Sequence, residues 1–106
     1  MQIEVLQGGE VGHVHVRLKG ELDALTAPKL YEELSRLVQQ TPSPRQITLH
    51  CRDLVYISSA GAGILLMCMD NFSPKGITLE MTEVVPEVYN ILDLLGLTKL
   101  IPVTHA

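Results

Sequence analysis

Apolar residues change their spacing repeatedly along this chain, and each change marks an element. From His13 to Lys19 the order His, Val, His, Val, Arg, Leu, Lys alternates with period two, the pattern of a strand with one wet face. Gln2 to Leu6 reads as a shorter strand before it, and Gly8, Gly9 and Gly12 between the two predict an antiparallel hairpin. After Gly20 the period lengthens, and Leu30, Leu34, Leu37 and Val38 recur at helical spacing. Thr26 with Pro28 soon after starts this helix, and Thr41-Pro42-Ser43-Pro44 ends it. Gln46 to Cys51 alternates again, with Ile47, Leu49 and Cys51 on one face. Gly61 to Asp70 reads as a second helix, broken by Ser73-Pro74-Lys75-Gly76, and Ile77 to Thr82 as a further strand. Pro86 to Leu95 forms a third helix, with Val85, Val88, Ile91, Leu92 and Leu95 as its stripe and Gly96 as its stop. Leu100 to Val103 is expected to be a last short strand.

Strands alternating with helices imply right-handed crossovers and a mainly parallel sheet, with the first hairpin adding an antiparallel edge. The expected fold class is therefore α/β: a small mixed sheet with alternating helices and an N-terminal antiparallel hairpin. A chain of 106 residues suits one such domain, and 46% hydrophobic residues argue for a packed core rather than disorder. Eight basic against twelve acidic residues leave a net charge of -4, which disfavours nucleic acid as a partner. The start, MQIEVLQGGE, lacks a basic, apolar secretory pattern, and no apolar run approaches the roughly 20 residues of a membrane span. Two cysteines, Cys51 and Cys68, in apolar surroundings fit reduced core thiols, and a cytoplasmic location is expected.

The run Asp53-Leu54-Val55-Tyr56-Ile57-Ser58-Ser59-Ala60-Gly61-Ala62-Gly63-Ile64-Leu65-Leu66 carries the chemistry. It reads as a strand feeding a turn, two hydroxyls, and a helix start made of small residues. Serine oxygen accepts from the unpaired amides of a first helical turn. Those amides and the positive helix end also suit a phosphate. Ser58 and Ser59 thus serve either as a plain helix cap or as a modifiable hydroxyl at a strand's carboxyl end, where sites gather in open α/β sheets. Asp23 has a bland reading too, as a turn residue holding local amides.

Other constellations stay bland. His13 and His15 share a strand face about 7 Å apart, but a solvated face is the better reading than a metal site. His50 and Cys51 point to opposite faces of one strand. Glu80 and Glu83 read as solvated charges at a strand end. There is no G-x-S-x-G elbow and no P-loop lysine around Gly61-Ala62-Gly63, so neither an enzyme nor a cofactor is expected. The apolar strip Ala60, Ala62 and Leu66, with Met67 or Met69, beside the serines would let a partner approach closely.

Two stretches together resemble the STAS domain of anti-sigma-factor antagonists. Gly20-Glu21-Leu22-Asp23-Ala24-Leu25-Thr26-Ala27-Pro28-Lys29-Leu30 is similar to the family's motif leading into its first helix, and Asp53 to Leu66 is similar to its phosphorylation-site turn. Setting the glycine of the family's Asp-Ser-Ser-Gly turn on Gly61 places the phosphorylated serine on Ser59, with Ser58 as the alternative acceptor. Ser58 then stands where the family has aspartate, and Ala60 where it has a second serine. The resemblance implies a module that binds an anti-sigma factor that is also a serine kinase, and that phosphorylation switches off, with a phosphatase possible as a further partner. Asp23, Thr26, Ser58, Ser59, Ala60, Gly61, Ala62 and Leu66 are the implied partner-binding residues. The same fold also implies an alternative, a constitutive STAS subunit or domain of a transporter. A single domain over residues 1–106 is expected, ending before the closing helix usual in such domains and so leaving a sheet face less covered.

Overall fold

A computed structural model describes residues 1–106. Five strands, β1 (Gln2–Leu6), β2 (His13–Leu22), β3 (Gln46–Ile57), β4 (Thr78–Val84) and β5 (Val103–His105), alternate after β2 with helices α1 (Ala27–Gln40), α2 (Ser59–Phe72) and α3 (Pro86–Leu94). The strands lie in the order β1-β2-β3-β4-β5. β1 pairs antiparallel with β2, and every later pair is parallel. The mixed sheet and alternating helices are those that the hydrophobic periodicity predicts.

The monotonic order has a geometric consequence. Right-handed crossovers that always step in one direction place every connecting helix on the same face of the sheet. No strand-order reversal occurs, so there is no switch-point crevice of the doubly wound kind. The core lies in the one layer between sheet and helices. Val14, Val16 and Leu18 of β2 and Ile47, Leu49 and Cys51 of β3 are buried there against Leu30 and Leu34 of α1, Leu65 and Cys68 of α2, and Val88 and Leu92 of α3. The opposite sheet face has no helix and carries the intervening residues, His13, His15, Thr48, His50 and Glu80 among them.

Several boundaries differ from the sequence reading. β2 continues past Lys19 to Leu22, and β3 continues past Cys51 to Ile57. The β2–β3 register shifts between Arg17 and Lys19 and again between Gly20 and Glu21, each time with one extra residue on β3. These bulges break the strict alternation, which is why period two fades after Cys51. β4 carries a third irregularity: Glu83 sits at φ +54, and its Oε2 lies 2.7 Å from Arg52 Nε on the bulged part of β3. The last strand is Val103–His105 rather than Leu100–Val103. Leu97–Lys99 forms a 3-10 turn, and Leu97 and Ile101, four apart, are the two residues this segment buries. No helix is long and apolar enough to cross a membrane.

Candidate functional site

β2 and β3 end side by side, Leu22 paired with Ile57. The Ser58 amide donates to the Leu22 carbonyl at 3.0 Å, so the turn after β3 is tied to the end of β2. Ser58 is extended, at ψ 170, and its Oγ accepts from the Gly61 amide at 3.1 Å while its carbonyl accepts from Ala62 at 2.9 Å. Ser58 is therefore the cap of α2, which begins at Ser59 rather than Gly61. Ser59 occupies the first helical position with its side chain exposed and its hydroxyl in no hydrogen bond within the chain. Two adjacent serines thus have separate states, one committed to the backbone and one free.

Gly61 explains how closely the helix approaches. A Cβ there would stand 2.4 Å from the Leu22 carbonyl oxygen, so only glycine lets the first turn of α2 lie against the end of β2. Asp23 follows Leu22 directly and lies half-buried beside that contact. Its Oδ1 accepts from the amides of Leu25 at 3.0 Å and Thr26 at 3.1 Å, and Thr26 Oγ1 in turn accepts from the Asp23 amide at 2.9 Å. This reciprocal pair shapes the entrance to α1. The Thr26 amide above all, with the Leu25 amide, holds the Asp23 carboxyl below the usual aspartate range. Asp23 is thus a turn residue, one position past the Leu22 carbonyl that the serine turn contacts.

The remaining predicted residues divide. Ala60 is exposed beside Ser59, Thr26 is half-buried and committed to the Asp23 turn, and Leu66 is half-buried on α2. Gly61 and Ala62 are buried against the sheet, where they pack the helix rather than face outward. Met67 of the same strip is exposed, and further apolar exposure lies off the helix. Leu25 is 90% exposed in the turn before α1, and Val55 and Tyr56 are exposed on the bulged end of β3. Hydrophobic periodicity assigns none of these to a surface. Leu25 is out of phase with the stripe at Leu30, Leu34 and Leu37, and that phase is the signal that identifies it.

Groups outside the turn are accounted for differently. Burial pushes both thiols, Cys51 and Cys68, up to about 12, so they are inert core residues. Glu80 accepts from Thr48 Oγ1 at 2.7 Å and Glu83 pairs with Arg52, so the two glutamates face different partners rather than a shared cleft. His13 bonds Thr48 and His15 bonds His50 on the open sheet face, which places His50 beside the two histidines of β2.

The family model described as "STAS domain" matches residues 2–106. The chain is 28% identical over 103 residues to an anti-sigma F factor antagonist of Paenibacillus polymyxa, covering 97% of this chain and 87% of the relative. The Bacillus cell fate determinant SpoIIAA, solved in a phosphorylated form, superposes with a TM-score of 0.70 at 19% identity, over 96% of this chain and 90% of that one. A sulfate transporter family protein from Wolinella succinogenes superposes with a TM-score of 0.78 at 17% identity, over 93% of this chain and 82% of the other. At these identities the two structures speak for the fold alone.

Proposed function

The chain belongs to the STAS domain family, which consists of binding modules rather than enzymes, and from that premise we propose that it is an anti-sigma-factor antagonist switched by phosphorylation of Ser59. Residues 1–106 act as one cytoplasmic module that docks an anti-sigma factor, itself a serine kinase, through the turn around Ser59. Release of the bound sigma factor follows docking, and a phosphatase resets the modified form. The observation that carries this reading is the division of labour at the turn: Ser58 caps the helix, leaving the exposed Ser59 hydroxyl available to a kinase. The exposed Leu25 and Ala60 and the Asp23 carboxylate complete the contact surface in this reading.

A phosphate on Ser59 adds about 1.5 to 2 negative charges beside Asp23. Against an acidic or apolar partner surface, like-charge juxtaposition costs several kcal/mol, roughly a hundredfold or more in affinity. The domain itself has no need to refold. The relative from Paenibacillus polymyxa, named as an anti-sigma F factor antagonist, supports this reading over the transporter one. A sulfate transporter family protein shares the fold alone, and a constitutive subunit that is never modified stands as the second reading.

The test is direct. Incubating the chain with a serine kinase of the anti-sigma class and ATP should place one phosphate, located by mass spectrometry on Ser59 and abolished by Ser59→Ala. Ser59→Asp should weaken binding to that partner by tenfold or more in calorimetry. Phosphate on neither Ser59 nor Ser58, with binding insensitive to Ser59→Asp, would favour the constitutive subunit.

A further inference from the structure

The open sheet face carries a row of imidazoles that the serine switch does not use. His13 and His15 of β2 stack with ring centroids 4.0 Å apart, and His15 stacks on His50 of β3 at 5.2 Å. Hydrogen bonds fix where their protons sit. Thr48 Oγ1 donates to Glu80 Oε1 at 2.7 Å, so the same oxygen accepts from His13 Nε2, also at 2.7 Å. His13 keeps that bond whether or not its other nitrogen is protonated. The contact between His15 Nδ1 and His50 Nε2, 3.0 Å long, behaves differently because it holds a single hydrogen. Two ring nitrogens that both carry hydrogen cannot face each other at that distance. A pair joined in this way takes up one proton and keeps its bond, then loses the bond on the second.

From these contacts we infer that the His15–His50 hydrogen bond is an acid-labile clasp between β2 and β3, closed near neutral pH and opened when both rings become charged. The neighbouring charges set how strongly the second proton is resisted. On β2, His13 stacks directly on His15, while Arg17 is turned to Glu4 of β1 at 3.6 Å. Arg17, Arg52, Asp53 and Glu83 share a hollow with His50, where Arg52 is engaged by Glu83 at 2.7 Å. From β4, Glu80 faces the row through Thr48, and Thr82 Oγ1 lies 3.4 Å from His50 Nδ1. In the turn before β2, Glu10 pairs with Arg45 at 3.7 Å, and Gly9 lies so close to the His15 ring that a Cβ would stand 2.9 Å from Nε2. Among the charges acting on His15, Glu80 alone favours a proton. Burial, and then His13 and His50, outweigh it and hold His15 below the ordinary histidine value.

Ring-nitrogen NMR of the intact chain between about pH 8 and pH 5 tests the clasp. The His15 titration should depart from a single independent step, because its bond to His50 survives the first proton and is lost on the second. His50→Gln, which keeps a polar partner but cannot charge, should raise the midpoint of His15 and reduce the loss of melting temperature on acidification. His15→Gln should reduce that loss in the same way, and the wild-type titration needs no variant at all. Independent single steps for the two rings, with a His15 midpoint and an acid loss of stability unchanged by His50→Gln, would overturn the inference.

Discussion

At Ser58 a side-chain oxygen holds the Gly61 amide, whereas one residue later the hydroxyl of Ser59 holds nothing in the chain. Ser58→Ala is therefore expected to cost about 1 kcal/mol, the usual value of a lost N-cap. For a domain of this size that lowers the melting temperature by about 4–8 °C. Ser59→Ala should stay within about 0.5 kcal/mol of the parent, as exposed substitutions do. Urea denaturation of the two variants side by side decides the assignment, and equal losses would mean that both serines serve the helix. The sequence shows that a hydroxyl stands at this turn, because serine before a run of small residues is a cap pattern. It does not show which of two adjacent serines caps, since that depends on ψ at Ser58, a backbone angle with no signature in composition. Leu25 is marked in the sequence only by its mismatch with the phase of the helix that follows.

Where α2 meets β2, two glycines of one helix have opposite meanings. Gly61 lies against the Leu22 carbonyl, while a Cβ on Gly63 would meet nothing within 4 Å. Gly61→Ala should destabilise by about 1–3 kcal/mol, because the first turn must lift off the strand end. Gly63→Ala should stabilise by about 0.5–1 kcal/mol, the ordinary gain from removing a glycine inside a helix. Equilibrium unfolding measures both, and a matching sign for the two would contradict the packing described here. Clean periodicity makes α1 readable almost residue by residue and β2 readable as far as Lys19. β3 was readable only to Cys51, because its bulges put Arg52 and Val55 out of step with the pleat. At the C-terminal end, Leu97 to Ile101 is apolar enough to suggest a strand, yet its buried pair is spaced as in a turn.

One layer of helices on one sheet face divides the molecule chemically into an apolar side and a titratable side. This division gives stability a pH dependence with a definite sign. His15 is held below 6.5 in the folded chain, so its contribution is complete above that value and is lost as the pH falls through the lower, folded one. Asp23 and Glu33 are likewise held below their ordinary values, the latter first by its hydrogen bond to Arg36, so their contributions are lost further into the acid range. Calorimetry from neutral to acid pH should show the melting temperature falling in two stages, the first setting in below about pH 6.5. A flat profile across that first stage would remove the histidine contribution. The strand order has one more result, for the way the sheet comes apart. Each strand leans on its sequence predecessor, so β2 and β3 are zipped on both sides while β5, three residues long, is held along one side only. Fraying should accordingly travel inward from the rims, with amide deuterium uptake fastest along β5 and slowest in the middle of β3.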